Sequence, residues 1–175
     1  MDGGPSRVTR VDEAADLPAA AGAYALVLEL VRPLAVTLPG RPPVDLEPGW
    51  YLYAGSANGP GGIRARVGRH LRGGKTVRWH VDRLTNSAGV AAVAAFPGGS
   101  ECAVAAALRQ SGAPVPAPGF GSTDCRQCPS HLLSLPDDFD ADDLDGNLPL
   151  AAMARGEPVV TWRRPPVLCY LKPPG

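Results

Sequence analysis

The stretch Tyr53-Ala54-Gly55-Ser56-Ala57-Asn58-Gly59-Pro60-Gly61-Gly62-Ile63-Arg64-Ala65-Arg66-Val67-Gly68-Arg69-His70-Leu71 joins an aromatic strand to a basic helix. Trp50 to Ala54 has the aromatic content of a strand. Gly59-Pro60-Gly61-Gly62 breaks regular structure. Ile63, Val67 and Leu71 then recur at the four-residue spacing of one buried helix face, and Arg66 and His70, also four apart, share another. Upstream, Gly22-Ala23-Tyr24 opens a run to Val31 that is apolar except for Glu29, as a buried strand requires. Two tyrosines thus stand on two strands, with arginines on the helix that follows.

Working outward, Leu34 to Leu38 reads as a strand, Pro39-Gly40 as a turn, and Val44 to Leu46 as a strand pairing back before Pro48-Gly49. Gly73-Gly74 stops the basic helix. A short helix is predicted over Val77 to Leu84 with Val77, Val81 and Leu84 inward, and a strand over Gly89 to Phe96. Ser100 caps a helix running to about Gln110 with Glu101 in its first turn. Residues 113–128 are rich in proline and glycine, and His131 to Leu135 reads as a last strand. The pattern is α+β: a small central antiparallel sheet flanked by helices. Residues 1–20 read as a loose lead-in, 21–135 as the folded domain, and 136–175 as an acidic linker and a Pro-rich tail without an assigned role.

The 175 residues suit one domain. The formal net charge of +0 hides segregation. Arg64, Arg66, Arg69, Arg72, Lys75 and Arg78 crowd one segment, and Asp137, Asp138, Asp140, Asp142, Asp143 and Asp145 another. A locally basic surface attracts a polyanion even on a neutral chain, although such arginines can equally be a solvated helix face. No apolar signal region follows Met1 and no apolar run reaches the ~20 residues of a membrane span, so a cytoplasmic protein without membrane contact is expected. Cys102, Cys125, Cys128 and Cys169 are then thiols or metal ligands rather than disulfides. Cys125-x-x-Cys128-x-x-His131, with Cys102 as a fourth donor, has spacing compatible with structural Zn²⁺; buried thiols with a bracing histidine are the alternative.

An ordered series of motifs resembles the GIY-YIG nuclease superfamily, and within it a compact subgroup found alone or fused to the DNA-repair enzyme endonuclease III. The series comprises Gly22-Ala23-Tyr24, Tyr53-Ala54-Gly55-Ser56-Ala57, the Gly-Pro-Gly-Gly loop, Arg66-x-x-Arg69-His70-Leu71, Trp79-His80-x-Asp82, Glu101-Cys102, Gly119-Phe120-Gly121-Ser122, Asp124-Cys125 and Ser130-His131-Leu132, over roughly residues 20–135. Alanine replaces isoleucine at the centre of both triplets, and the interval from Tyr24 to Tyr53 holds an added hairpin.

The resemblance implies a metal-dependent DNA endonuclease, with DNA repair as its setting. It places Tyr53 at the attacking water as general base, its pKa of about 10 drawn down by a nearby cation. Tyr24 supports Tyr53 by hydrogen bonding, Arg66 clamps phosphate oxygens, and Glu101 holds Mg²⁺ or Mn²⁺. His70 assists proton transfer, contacts phosphate or is structural. Arg64 and Arg69 are DNA-backbone contacts or solvated, with Arg72, Lys75 and Arg78 completing the basic surface; His80 and Asp82 brace the site or the helix packing. The alternatives are a DNA-binding module of the same fold without catalysis, and a zinc-stabilised interaction domain.

Overall fold

The computed structural model describes residues 7–123 and 125–166, so Asp124 and Cys169 lie outside the described residues. The elements in chain order are β1 (Val8–Val11), β2 (Gly22–Leu30), β3 (Leu34–Val36), β4 (Val44–Leu46), β5 (Gly49–Ala57), α1 (Gly62–Leu71), α2 (His80–Ala88), β6 (Ala92–Pro97), α3 (Glu101–Gln110), β7 (Leu132–Ser134), α4 (Leu144–Asn147), α5 (Leu150–Ala154) and β8 (Val159–Arg163). Six strands form one sheet in the order β1-β8-β6-β2-β5-β7; β1 and β8 pair in parallel and every other pair is antiparallel. Strands β3 and β4 form a separate hairpin. The protein is α+β, as expected, but its sheet is mixed and larger than a small antiparallel one.

Both faces of the sheet are covered, which explains the unbroken apolar run of β2. Side chains alternate along a strand. Tyr24, Leu26, Leu28 and Leu30 enter one core with Ile63, Val67, Val81 and Leu84 from α1 and α2. Ala23, Ala25 and Val27 enter the other with Val104, Ala105 and Leu108 of α3. The second face is floored by Ala54, Ala92 and Ala94 as well, so small residues on helix and sheet let α3 approach closely. Alanine at the centre of both triplets, Ala23 and Ala54, fits this contact.

Four expectations change. Residues 1–20 are not simply a lead-in, since Val8–Val11 is a strand and Leu17 is fully buried. The segment 136–149 is not an acidic linker. Phe139, Leu144 and Leu148 join the core under α3, while the aspartates cap turns: Asp143 accepts from the Gly146 N–H at 2.9 Å and Asp142 pairs with Arg163. The tail from Pro158 supplies β8, which bridges β1 and β6. Finally, α2 begins at His80 rather than Val77, and Val77 is exposed. The carboxylate of Asp82, three residues after Trp79, accepts the Trp79 N–H at 2.9 Å and so caps α2 at that point.

Candidate active site and metal centre

Register brings the two tyrosines together. Leu26 opposes Tyr53 and Tyr24 opposes Gly55, so Tyr24 and Tyr53 are diagonal neighbours on one face. A side chain at Gly55 would collide with the Tyr24 ring, and its hypothetical Cβ lies 2.7 Å from Cε2. Glycine at this position is therefore the seat of the tyrosine ring rather than a turn.

Helix α1 supplies the opposite wall. Its first turn is already satisfied: Ile63 N–H donates to the Ala20 carbonyl, and Arg64 donates through its backbone N–H to Pro18 (both 2.9 Å) and through Nε to Leu17 at 2.7 Å. The helix N-terminus is thus occupied by the chain itself. One turn further, Arg66 and His70 face the tyrosines. Tyr24, Tyr53, Arg66 and His70 line one polar cavity of about 400 Å³, with Ser56, Arg78, Trp79 and His80.

Asp82 organises this wall. It is fully buried and accepts both guanidinium nitrogens of Arg69 (2.7 and 3.0 Å) and the N–H groups of Arg78 (2.8 Å) and Trp79. Burial pushes its pKa up, but these donors outweigh it and hold the carboxyl at about 2. His70 lies against this carboxylate, with Nδ1 4.0 Å from Asp82 Oδ1 and without a hydrogen bond, while Nε2 is 2.8 Å from the Tyr24 hydroxyl. Burial lowers the His70 pKa to about 4, so the ring is neutral at pH 7. An unprotonated Nδ1 would set a lone pair against the Asp82 charge. We therefore assign the proton to Nδ1, so that Nε2 accepts from Tyr24.

Neither phenol is primed to ionise. Burial and the neighbouring Tyr53 raise Tyr24 well above the tyrosine range. Tyr53 is pushed up to about 12 by burial; Arg66 lowers it, and Glu101 and Asp82 raise it. The expected lowering of the Tyr53 pKa is absent because burial outweighs the guanidinium. Glu101 does not line the cavity but lies close enough to raise both Tyr53 and His131.

The expected DNA-binding residues divide. Arg64 and Arg69 hold the fold through Leu17 and Asp82. Lys75 spends its three donors on the carbonyls of His70 and Arg72 and on Asn86. Arg78 lines the cavity and Arg72 is exposed at the end of α1. Sequence reasoning left Trp79 without a role. Its half-exposed indole lies beneath Arg66 and Arg69, whose guanidinium carbons are 4.7 and 4.2 Å from the ring centroid.

A second cluster borders the cavity. The donor atoms of Cys102, Cys125, Cys128 and His131 all lie within 4.8 Å of one another. Cys102 Sγ is 3.5 Å from Cys125 Sγ and 3.9 Å from His131 Nε2. Ligands on one tetrahedral Zn²⁺ stand about 3.4–3.8 Å apart, given Zn–S and Zn–N bonds of about 2.3 and 2.0 Å. Burial lowers the His131 pKa and so favours the neutral ring that a metal requires. Burial and the two neighbouring thiols raise Cys102 to about 12. Burial raises Cys125 too, but the N–H groups of Gln127 and Cys128 outweigh it and hold its thiol below the usual range. The cluster can hold a metal such as zinc, a better description than buried thiols alone.

A family model described as "Domain of unknown function DUF123" matches residues 23–146. No curated protein and no solved structure matches the chain. The match is to a family distinct from the GIY-YIG nucleases, so that resemblance is corrected, and the DNA-repair setting that rested on it loses its support. Among the described residues no helix is long and apolar enough to cross a membrane.

Proposed function

Because the chain belongs to the DUF123 family, whose function is unknown, its activity has to be read from its own residues, and we propose a metal-dependent endonuclease that hydrolyses DNA phosphodiesters. The observation that carries this reading is the convergence of Tyr24, Tyr53, Arg66 and His70 on one polar cavity. Arg66 offers a permanently charged planar fork for two nonbridging phosphate oxygens. Tyr53 stands beside it as the proton acceptor for the attacking water. With a pKa of about 12 it needs a cation to serve at neutral pH. Among the described residues Asp82 is saturated by four donors, and Glu101 is the carboxylate left to hold that cation. A single carboxylate with water and phosphate oxygens suits Mg²⁺ or Mn²⁺. Such an ion would lower the Tyr53 pKa and neutralise charge on the phosphate. Tyr24, fixed by neutral His70, sets the Tyr53 side of the cavity. The Cys₃His cluster acts as a structural zinc clip behind Tyr53.

Nicking of supercoiled plasmid with Mg²⁺ or Mn²⁺ tests this directly. Tyr53→Phe should lower the single-turnover rate about 10²–10⁴-fold with little change in binding. Arg66→Ala should cost at least as much, with Arg66→Lys a poor rescue. The two losses should not add if both groups act in one step. The raised pKa values of both tyrosines favour the second reading, a DNA-binding module without hydrolysis. Retarded but uncut plasmid would establish it.

A further inference from the structure

Beside the cavity runs a more open groove of about 660 Å³, between the tip of the β3–β4 hairpin and the segment leading into α2. The two share Arg78, Trp79 and His80 and are therefore continuous. Among the described residues Arg41, Arg78 and Arg83 line the groove, all exposed, and no carboxylate does. Among the described residues none of the three is in an ion pair, whereas Arg69 is paired with Asp82. Between these cations lie Val77, 49 % exposed, and Trp79, 39 % exposed; with Val31 they are the large apolar side chains left in solvent among the described residues. Pro39 and Pro42 complete an apolar strip on the hairpin side.

We propose that this groove is a second subsite that holds an unpaired nucleic-acid strand flanking the cleaved phosphate. The inference rests on the endonuclease reading for its placement. Its chemistry is read from the groove itself. Three guanidinium groups match successive backbone phosphates. The exposed part of the Trp79 indole, whose ring also carries Arg66 and Arg69, lies beside a valine and two prolines and matches the faces of bases, which only an unpaired strand presents; in a duplex those faces are stacked inward. Alternation of cations with an aromatic platform is how single strands are held without sequence preference. The substrate class that follows is DNA with a single-stranded segment next to the cut, such as a junction, flap or gap, rather than uninterrupted duplex.

Fluorescence anisotropy with a labelled 15-nucleotide thymidine oligomer and with a blunt 15-base-pair duplex, both without divalent cations, tests the subsite. The single strand should bind at least about 10-fold more tightly. Trp79→Ala should weaken it about 5- to 100-fold, the range of one lost base stack. Because Trp79 also packs against Arg66 and Arg69, the double variant Arg41→Gln/Arg83→Gln provides a second test on exposed residues. It should flatten the salt dependence of single-strand binding by about 1.4 in log–log slope. Equal affinity for duplex and single strand, or an unchanged slope in the double variant, overturns the subsite. Plasmid nicking combined with equal affinities would overturn the subsite alone. Single-strand preference without cleavage of any DNA would uphold the subsite and overturn the hydrolase.

Discussion

His70 bonds Tyr24 and His131 lies across Gly121 from Tyr53, and the surroundings of the two histidines are opposites. His70 belongs to a network whose charges are already matched: Asp82 meets the Arg69 fork and two backbone donors, and the neutral imidazole bonds Tyr24. His131 belongs to a set with three thiols whose pKa values are driven in opposite directions by burial, by one another and by the backbone, with Arg109 lowering Cys128 from outside the set. The first arrangement has its charges paired, although His70 Nδ1 lacks a hydrogen bond, and it positions the Tyr24 hydroxyl. The second becomes self-consistent when a cation enters. Gly121 stands between them: a side chain there would place Cβ 2.7 Å from Tyr53 and 3.3 Å from His131.

The largest expected effect comes from the side that can hold an ion. Elemental analysis should find one zinc per chain. Small zinc domains draw about 10 kcal/mol or more from the metal. Here the loop 119–131 depends on it most directly, so about half of that is expected on chelation. The melting temperature should fall by about 10–20 °C. Unchanged melting after complete removal would make the two centres alike. Next, Asp82→Asn should destabilise by about 4 kcal/mol in urea unfolding, because Arg69 and two N–H donors lose a buried carboxylate. A near-neutral result would show that the network is not the scaffold of the cavity.

Acid should also act on the His70 side. The folded pKa of about 4 lies below the ordinary 6.5, so the unfolded chain binds the extra proton first. The stability that His70 confers is full above pH 6.5 and is lost as pH falls toward 4, in total about 3 kcal/mol. His70→Gln keeps an acceptor for Tyr24 and should flatten the unfolding free energy across that window; a profile as steep as wild type would move the effect elsewhere. The smallest expected effect is at the shared wall. Gly121 has φ +68, so Gly121→Ala should cost about 1–2 kcal/mol. It should also shift the near-ultraviolet signal of Tyr53 and the metal affinity together. A change in one alone would separate the centres.

Much of the site could be read from the chain. The β2 and β5 runs, the α1 face carrying Arg66 and His70, and the Ser100 cap of α3 are local patterns, and they stand where periodicity puts them. Capture of Arg69 by Asp82 and of Lys75 by Asn86 could not be read, because both partners stand on α2, which packs against α1. The raised Tyr53 pKa escaped for a related reason: arginine nearby is visible in sequence, but depth of burial is not. The acidic segment misled because aspartates that cap turns look like aspartates that solvate a linker; Phe139, Leu144 and Leu148 were the signal that it folds. The ordered motifs suggested a family that the chain's own match does not support.

The parallel ladder of β1 and β8 has a consequence for how the chain reaches this state. Val8 lies beside Val159, and among the described residues β1 has no strand neighbour except β8. Strand β8 in turn needs β6 as its template. The ladder therefore closes a loop of about 150 residues, the costliest kind of pairing to nucleate. Assembly should proceed from the β2–β5 hairpin outward, with β1 docking last. That edge should exchange its amide hydrogens first under native conditions, while the tyrosines at the far side of the sheet stay protected.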